Sequence, residues 1–373
     1  MKLIEFCKYV VFIFIRVIFY IASLFFRKKY DVCFYTGDEK VWDGNLQILY
    51  SRIKKENNLT VIHLSKCNKW TWYHLIRSKV ILFDHTIPYY TMAQGQIRIN
   101  LWHGVPIKKI RYHLLDRFDA SNQNQSDLTT YVSSNNDYDR LLMSTGLNVP
   151  MYKIKSIGIP RLDYLHLSEK ELEFYDIYSD AVEIKSRTKS FSKVILWAPT
   201  YRGKPTSIDD KVFDPIEQKE ICNYLQSNNY CMCIKMHKFS LKSEYEVFNK
   251  CDNVIFINDL INTNIILRYV DLLITDFSSI WIDYLTLNKP IIFFAKDYCE
   301  YSNEHGFILE FEKQIPTELL VDFYDLMSAI KHSEKLIVNY EEQKNKFLPM
   351  TNDFSGAWVK LIESKINHRS AVN

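Results

Sequence analysis

The chain has 373 residues, 47% hydrophobic and 24% charged, a globular composition too long for one ordinary core, so two domains are expected. A net charge of +3 is too small to argue for a nucleic-acid partner, and any basic surface must be local. The eight cysteines, at 7, 33, 67, 222, 231, 233, 251 and 299, show no C-x-x-C spacing, which points to buried free thiols in a reducing compartment rather than to zinc or a disulfide framework.

The first 29 residues, MKLIEFCKYVVFIFIRVIFYIASLFFRKK, are the most apolar stretch and lack the small-residue cleavage site of a signal peptide. At ~100° per residue, Lys2, Glu5, Lys8, Arg16, Ser23 and Arg27 fall in one helical sector and the rest is almost wholly apolar. Residues 10–26 would span only ~25 Å, short of a ~30 Å hydrocarbon core. An arginine at mid-bilayer would add ~2.5–3 kcal/mol. A membrane-associating helix over 1–29, lying in the interface, is therefore expected in preference to a tilted span or a buried core helix. Were it to span, Arg27, Lys28 and Lys29 would keep the following domain on the cytoplasmic face.

Strands then alternate with helices. YDVCFYTG ends a strand at Gly37, and a helix follows near 43–56. VIHLS (61–65), KVILFD (79–84) and INLWHG (99–104) read as strands, the last running into a turn. TTYVSS (129–134), a helix near 136–145 and YKIKSIG (152–158) continue the alternation. The charged stretch 168–192 reads as a crossing into a second half. That half carries strands at 194–199, 230–237, 254–257, 271–275 and 290–295, with helices near 215–228, 260–269 and 278–287. Helices are expected to fill 316–348, with a final one at 353–367. The pattern predicts an α/β, GT-B-like protein: two Rossmann-type domains, 30–185 and 186–350, a central cleft between the carboxyl ends of their sheets, and a C-terminal helix and tail over 351–373.

Five strand ends carry residues suited to anionic chemistry. In LWHGVPIKKI (101–110), Gly104 and Pro106 stiffen a turn around His103, which is either a surface residue or a general base near neutral pH. Lys108 and Lys109, just beyond, suit an anionic acceptor or lipid headgroups. In GIPRLDYL (158–165), Arg161 and Asp163 are either acceptor-binding or a capping or bridging pair. APTYRG (198–203) offers Arg202 for bidentate phosphate contact. CIKMHKFS (233–240) places Lys235 and His237 on one face of a strand end. In DLLITDFSSIWIDYL (271–285) a strand ends at Thr275 and Asp276, and Ser278 and Ser279 open a helix. Free N–H groups and two hydroxyls there suit a pyrophosphate, or else ordinary capping. Asp283, one turn on, suits a sugar hydroxyl or support of the loop.

Together these motifs resemble the CDP-glycerol glycerophosphotransferase family of teichoic acid and capsule synthesis. HGVPIK (103–108), GIPRLD (158–163), APTYR (198–202), KMHK (235–238), TDFSSIWID (275–283) and KPI (289–291) match its motifs in order. Val105 replaces a Thr, Lys238 a Pro and Gly203 an Asp of that pattern. The chain is closest in size to the priming members. The resemblance implies transfer of glycerol phosphate from CDP-glycerol to a hydroxyl of a membrane-linked acceptor, with release of CMP. It implies His103 and His237 as catalytic groups and Arg202, Lys235, Thr275, Asp276, Ser278, Ser279 and Asp283 on the donor. No metal or other cofactor is implied. CDP-ribitol as donor, a GT-B sugar-nucleotide glycosyltransferase and a membrane scaffold are the alternatives.

Overall fold

Burial patterns along the chain set the layers. The structure is a computed structural model that describes residues 3–37, 42, 44–66, 70–85, 87–88, 93–114, 129–200, 212–235, 245–258, 260–336, 339–350 and 352–370. In chain order these form α1 (Leu3–Phe25), β1 (Tyr30–Thr36), α2 (Gly44–Glu56), β2 (Val61–Ser65), α3 (Thr71–Ile76), β3 (Ser78–Phe83), β4 (Ile97–Asn100), β5 (Tyr131–Ser134), α4 (Asp137–Leu147) and β6 (Ile154–Ser156). There follow α5 (Glu169–Phe174), α6 (Tyr178–Thr188), β7 (Lys193–Ala198), α7 (Pro215–Asn228), β8 (Tyr230–Ile234), β9 (Val254–Phe256), α8 (Thr263–Arg268), β10 (Leu272–Thr275) and α9 (Ile280–Tyr284). The last are β11 (Ile291–Phe294), α10 (Tyr298–Glu304), β12 (Leu319–Leu320), α11 (Phe323–Lys331), α12 (Glu341–Phe347) and α13 (Phe354–Ser370).

The chain divides into two units. One comprises Met1–Gly104, Ile110–Asp163 and Pro349–Asn373, and the other Val105–Lys109 and Tyr164–Leu348. The chain thus changes unit directly after the His103-Gly104 pair and again after Asp163. Residues 164–185, read from sequence as part of the first half, belong to the second unit, and the C-terminal helix belongs to the first.

The first unit is a parallel sheet in the order β2-β1-β3-β4-β5-β6. One face packs Val32, Phe34, Val80, Leu82 and Ile99 against Leu46, Leu49 and Ile53 of α2 and Trp358, Ile362 and Ile366 of α13. The other packs Cys33, Tyr35, Ile81 and Phe83 against Leu75 and Ile87. Gly158, at φ +92°, is required here: a Cβ would lie 2.4 Å from the Phe354 ring, and the left-handed backbone disfavours any side chain. Its carbonyl accepts the Trp358 indole N–H at 2.8 Å.

The second unit is a parallel sheet in the order β12-β11-β10-β7-β8-β9. Its core packs Ile195, Trp197, Met232, Ile234, Leu272 and Ile274 against Ile221 and Leu225 of α7 and Phe323, Leu326 and Ile330 of α11. Strand order reverses between β7 and β10, and the carboxyl ends of the strands flanking such a reversal are where open α/β sheets take ligands. Both units therefore have the α/β architecture expected from sequence. The stretch 316–348 departs from it. The sequence predicts helix throughout, yet it holds the two-residue edge strand β12 beside β11, with Pro316 unable to continue a helix ahead of Leu319.

The helix expected at the N-terminus is present as α1, and its outer residues Val10, Val11, Phe14, Val17, Ile18, Ile21, Leu24 and Phe25 are exposed, Phe25 at 83%. Ser23, from the polar sector, is turned inward. It is 5% exposed and its hydroxyl accepts the Gln94 amide at 3.3 Å. Arg16 is half-buried. Phe19 and Phe26 dock edge-on against Trp72 and Tyr73 at 5.6 Å. Among the described residues no helix is long and apolar enough to cross a membrane, so the spanning alternative has nothing to carry it there.

Candidate active site

The turn after β4 holds His103 in a constrained backbone. Trp102 adopts φ +47° and Gly104 φ +137°. A non-glycine residue in the left-handed region costs about 1–3 kcal/mol and persists only where its surroundings over-determine it. Here they do. The Trp102 amide donates to Asn100 Oδ1 at 2.9 Å, and the Trp102 carbonyl accepts Asn45 Nδ2 at 2.8 Å. The Leu101 carbonyl accepts the Ser133 hydroxyl. The His103 carbonyl accepts Arg161 Nη1 at 2.7 Å.

The His103 ring stacks on Trp102 at 4.2 Å and meets the His85 ring edge-on at 4.4 Å. The Arg111 guanidinium lies over the other ring system of this cluster, 5.4 Å from the Trp102 centroid. Enclosure by surrounding protein, followed by the charges of His85, Arg161 and Arg111, lowers the pKa of His103, against a hydrogen bond to the Asp84 backbone that raises it. The residue nonetheless remains exposed to solvent. An imidazole held neutral at pH 7 keeps one ring nitrogen as a proton acceptor.

The residues just beyond behave differently. Lys108 pairs antiparallel with Phe307, and the Lys109 amide donates to the Gly306 carbonyl at 3.1 Å. These bonds fix the backbone of 105–109 within the second unit and leave the Lys109 side chain exposed. In GIPRLD, Arg161 turns to the His103 carbonyl, whereas Asp163, 3% exposed, caps α13. Its carboxylate accepts the Phe354 amide at 2.9 Å, the Ser355 amide at 2.8 Å and the Ser355 hydroxyl. Burial raises its pKa, against those hydrogen bonds. The geometry around Asp163 is that of a helix cap.

In the second unit, Thr275 and Asp276 stitch the strand ends at the reversal point. Thr275 Oγ1 donates to the Ala198 carbonyl at 2.8 Å, and the Asp276 carboxylate accepts the Thr200 amide at 2.8 and 3.1 Å. Asp283 is 4% exposed and accepts Asn264 Nδ2 at 2.9 Å. Lys235 Nζ donates to the carbonyls of Asn258 and Ile261 at 2.7 and 3.1 Å, so its ammonium holds the loop after β9. Ser278 and Ser279 are half-buried. Ser279 is the N-cap of α9 and makes no side-chain cap bond, while Ser278 Oγ accepts only a long 3.4 Å contact from Ile280 N. Thr275, Asp276 and Asp283 thus tie together the backbone and side chains around these two serines. Arg202 and His237 lie outside the described residues.

Sequence reasoning passed over Asp84, His85, Asn45 and Asp139. The first two follow β3 directly as the His103 turn follows β4, so the strand-end rule that singled out His103 would have found His85. Asp139 opens α4, accepts the Asn135 amide at 2.8 Å and is 1% exposed. Burial pushes its pKa up to about 7, against the Asn135 hydrogen bond and the Arg161 charge. No sequence pattern marks Asn45 or Asp139.

Comparison with known proteins places the chain among enzymes of one family. The chain is 26% identical over 88% of its length to the teichoic acid ribitol-phosphate polymerase TarL of Staphylococcus aureus (strain NCTC 8325 / PS 47), covering 60% of that protein. It is 28% identical over 74% of its length to a teichoic acid poly(glycerol phosphate) polymerase of Bacillus spizizenii (strain ATCC 23059 / NRRL B-14472 / W23), covering 70% of it. Across the curated relatives it matches, the chain spans from 37% to 76% of their length, and 60% of the ribitol-phosphate polymerase TarL. In fold it is similar to a variant form of the wall teichoic acid polymerase TagF, with a TM-score of 0.78 at 18% identity and 100% of both chains covered. The family model for CDP-glycerol:poly(glycerophosphate) glycerophosphotransferase matches residues 20–357. With that match running through both sheets and the His103 turn, the chain belongs to the CDP-glycerol:poly(glycerophosphate) glycerophosphotransferase family.

Proposed function

We propose that this protein transfers glycerol phosphate from CDP-glycerol to a hydroxyl of a membrane-linked saccharide or polyol-phosphate acceptor, releasing CMP, in the synthesis of teichoic acid or a related cell-surface polymer. The observation that carries this reading is the His103 turn: an imidazole stacked on Trp102 at 4.2 Å and edge-on to His85 at 4.4 Å, held below its ordinary pKa by enclosure and neighbouring charge, in the motif that this family shares. The acceptor oxygen attacks the phosphorus that bears the glycerol, and its proton passes to the unprotonated ring nitrogen of His103. The bond from that phosphorus to the bridging oxygen breaks, and CMP leaves with that oxygen. The negative charge of a bound donor favours the imidazolium that forms.

Ser278 and Ser279, with Arg202 and His237 by motif, hold the pyrophosphate and stabilise charge on the leaving CMP. Thr275, Asp276 and Asp283 act by building the loop that presents those serines, and Lys235 by holding the neighbouring loop. Lys108 and Lys109 serve the anionic acceptor. The family match leaves a sugar-nucleotide glycosyltransferase and a scaffold without support.

The reaction is placed at the cytoplasmic face of the membrane, with α1 lying in the interface. Its support is the inversion described above: Ser23 faces protein while Phe14, Val17, Ile21 and Phe25 face outward, the pattern of a helix whose outer solvent is lipid.

The ribitol donor is the second reading, favoured by the likeness to a ribitol-phosphate polymerase. CMP release from CDP-glycerol and from CDP-ribitol, each with membrane lipid as acceptor, tests both. Acceptor-dependent release with one donor names the substrate, and release with neither, in a folded preparation supplied with acceptor, overturns the reading.

A further inference from the structure

We propose that Asn45 is a positioning residue for His103, joining the strained turn to Arg161 so that the imidazole is held in its reacting orientation. The inference rests on the functional reading above and names a residue that its motifs do not contain.

Asn45 is 0% exposed and stands at the start of α2, far in sequence from the turn. Its two side-chain ends are both used. Nδ2 donates to the Trp102 carbonyl at 2.8 Å and lies 3.5 Å from the Leu101 carbonyl. Oδ1 accepts the Arg161 amide at 3.0 Å. The Arg161 guanidinium in turn donates to the His103 carbonyl at 2.7 Å. Three bonds thus tie one buried amide to the two consecutive carbonyls that flank the His103 amide and Cα.

Only an amide fits this place. One end meets a carbonyl and must donate, and the other meets an N–H and must accept, so the orientation of the Asn45 group is fixed by its partners. Aspartate would set a carboxylate against the Trp102 carbonyl, and leucine would leave both the carbonyl and the Arg161 amide unpaired in the interior. Full burial keeps Asn45 from touching substrate, so its effect must pass through the backbone it holds.

That backbone needs holding. Trp102 at φ +47° would relax toward an ordinary extended or helical conformation if its carbonyl were released. Rotation there moves the His103 Cα and ring together. A displacement of about 1 Å in a reacting group lowers the rate on the order of 10²-fold, whereas donor binding through the second unit's serines does not involve this turn.

The test uses the full chain as wild type, His103→Ala, Asn45→Asp, Arg161→Gln and Arg161→Lys. The first readout is independent of turnover: the His103 Cε1–H proton resonance, assigned by its disappearance in His103→Ala, which stacking on Trp102 shifts from its ordinary position. In Asn45→Asp and Arg161→Gln it should move toward the value of an unstacked histidine, with Arg161→Lys in between. The second readout is CMP release: kcat should fall about 10²-fold in Asn45→Asp and Arg161→Gln, with KM for the CDP-polyol donor within about threefold of wild type. Should Asn45→Asp not fold, Asn45→Ser, which keeps a small donor and acceptor at that place but cannot span both partners, decides by the same two readouts. An unshifted resonance in folded variants overturns the proposal, as does an unchanged kcat or an effect confined to acceptor KM. Absence of CMP release by the wild type would overturn the functional reading alone, since the resonance still reports on the turn.

Discussion

The Arg161 guanidinium donates to the main-chain carbonyl of His103 at 2.7 Å, while Asp163, two residues on, turns the other way to cap α13 through Phe354 and Ser355. One short motif thus divides its two charges between the candidate base and the helix that closes the first sheet. Several consequences can be measured.

The first concerns pH. Enclosure and the neighbouring positive groups lower the pKa of His103, so the neutral, proton-accepting form persists below the ordinary histidine value of about 6.5. The acid limb of kcat/KM should therefore lie below about pH 6, with a flat profile from there to about pH 8. A limb at or above 6.5, lost in His103→Ala, would contradict the environment described.

The second concerns Asp139, whose folded pKa of about 7 stands above the ordinary aspartate value of 3.8. Between those values the folded chain holds a proton that the unfolded chain has released. Stability therefore falls as pH rises from about 4 to about 7, the reverse of the usual carboxylate case. Asp139→Asn removes this pH dependence. It should match wild type near pH 5 and exceed it by on the order of 1 kcal/mol at pH 8, as read by urea unfolding at the two pH values. A variant less stable than wild type at pH 8 would show that the carboxylate is held by more than the Asn135 amide.

The third separates capping from acceptor binding at Asp163. Asp163→Ala leaves the first amides of α13 uncapped and should cost roughly 2–4 kcal/mol. At temperatures well below the lowered melting point, kcat and both KM values should stay near wild type. A raised acceptor KM without loss of stability would return Asp163 to the acceptor site.

The fourth addresses the outward face of α1. Phe14→Glu with Ile21→Glu should abolish flotation with anionic phospholipid vesicles while the melting temperature stays within about 2 °C, because neither residue is packed in the core. Undiminished flotation would move the membrane contact elsewhere on the chain.

Much of the secondary structure was legible because local chemistry specified it. VIHLS matches β2 residue for residue. The helix read at 215–228 is α7, whose start is written in Asp214, Pro215 and Glu217 as a capping box with proline at the first position. The helix read at 260–269 shortens to Thr263–Arg268, with Asn262 as its cap. Where apolar periodicity ran out, as at Leu319–Leu320, a two-residue edge strand left too short a pattern to be told from helix.

The amino-acid sequence by itself determined the alternation of strands and helices, the family, and the strand-end histidines, serines and cations, because each is a local pattern of polarity, turn residues and spacing. Only the tertiary structure decided what those groups do to one another. Asp163 became a helix cap because α13 returns some 190 residues later to the first sheet, and Lys235 became a loop tie because two carbonyls lie within its reach. Asn45 and His85 joined His103 because parallel pairing brings the ends of separate strands, and the helix after β1, to one edge of one sheet. Hydrogen bonds and ring contacts act over a few ångströms of space, and sequence separation carries no information about that distance until the chain has folded.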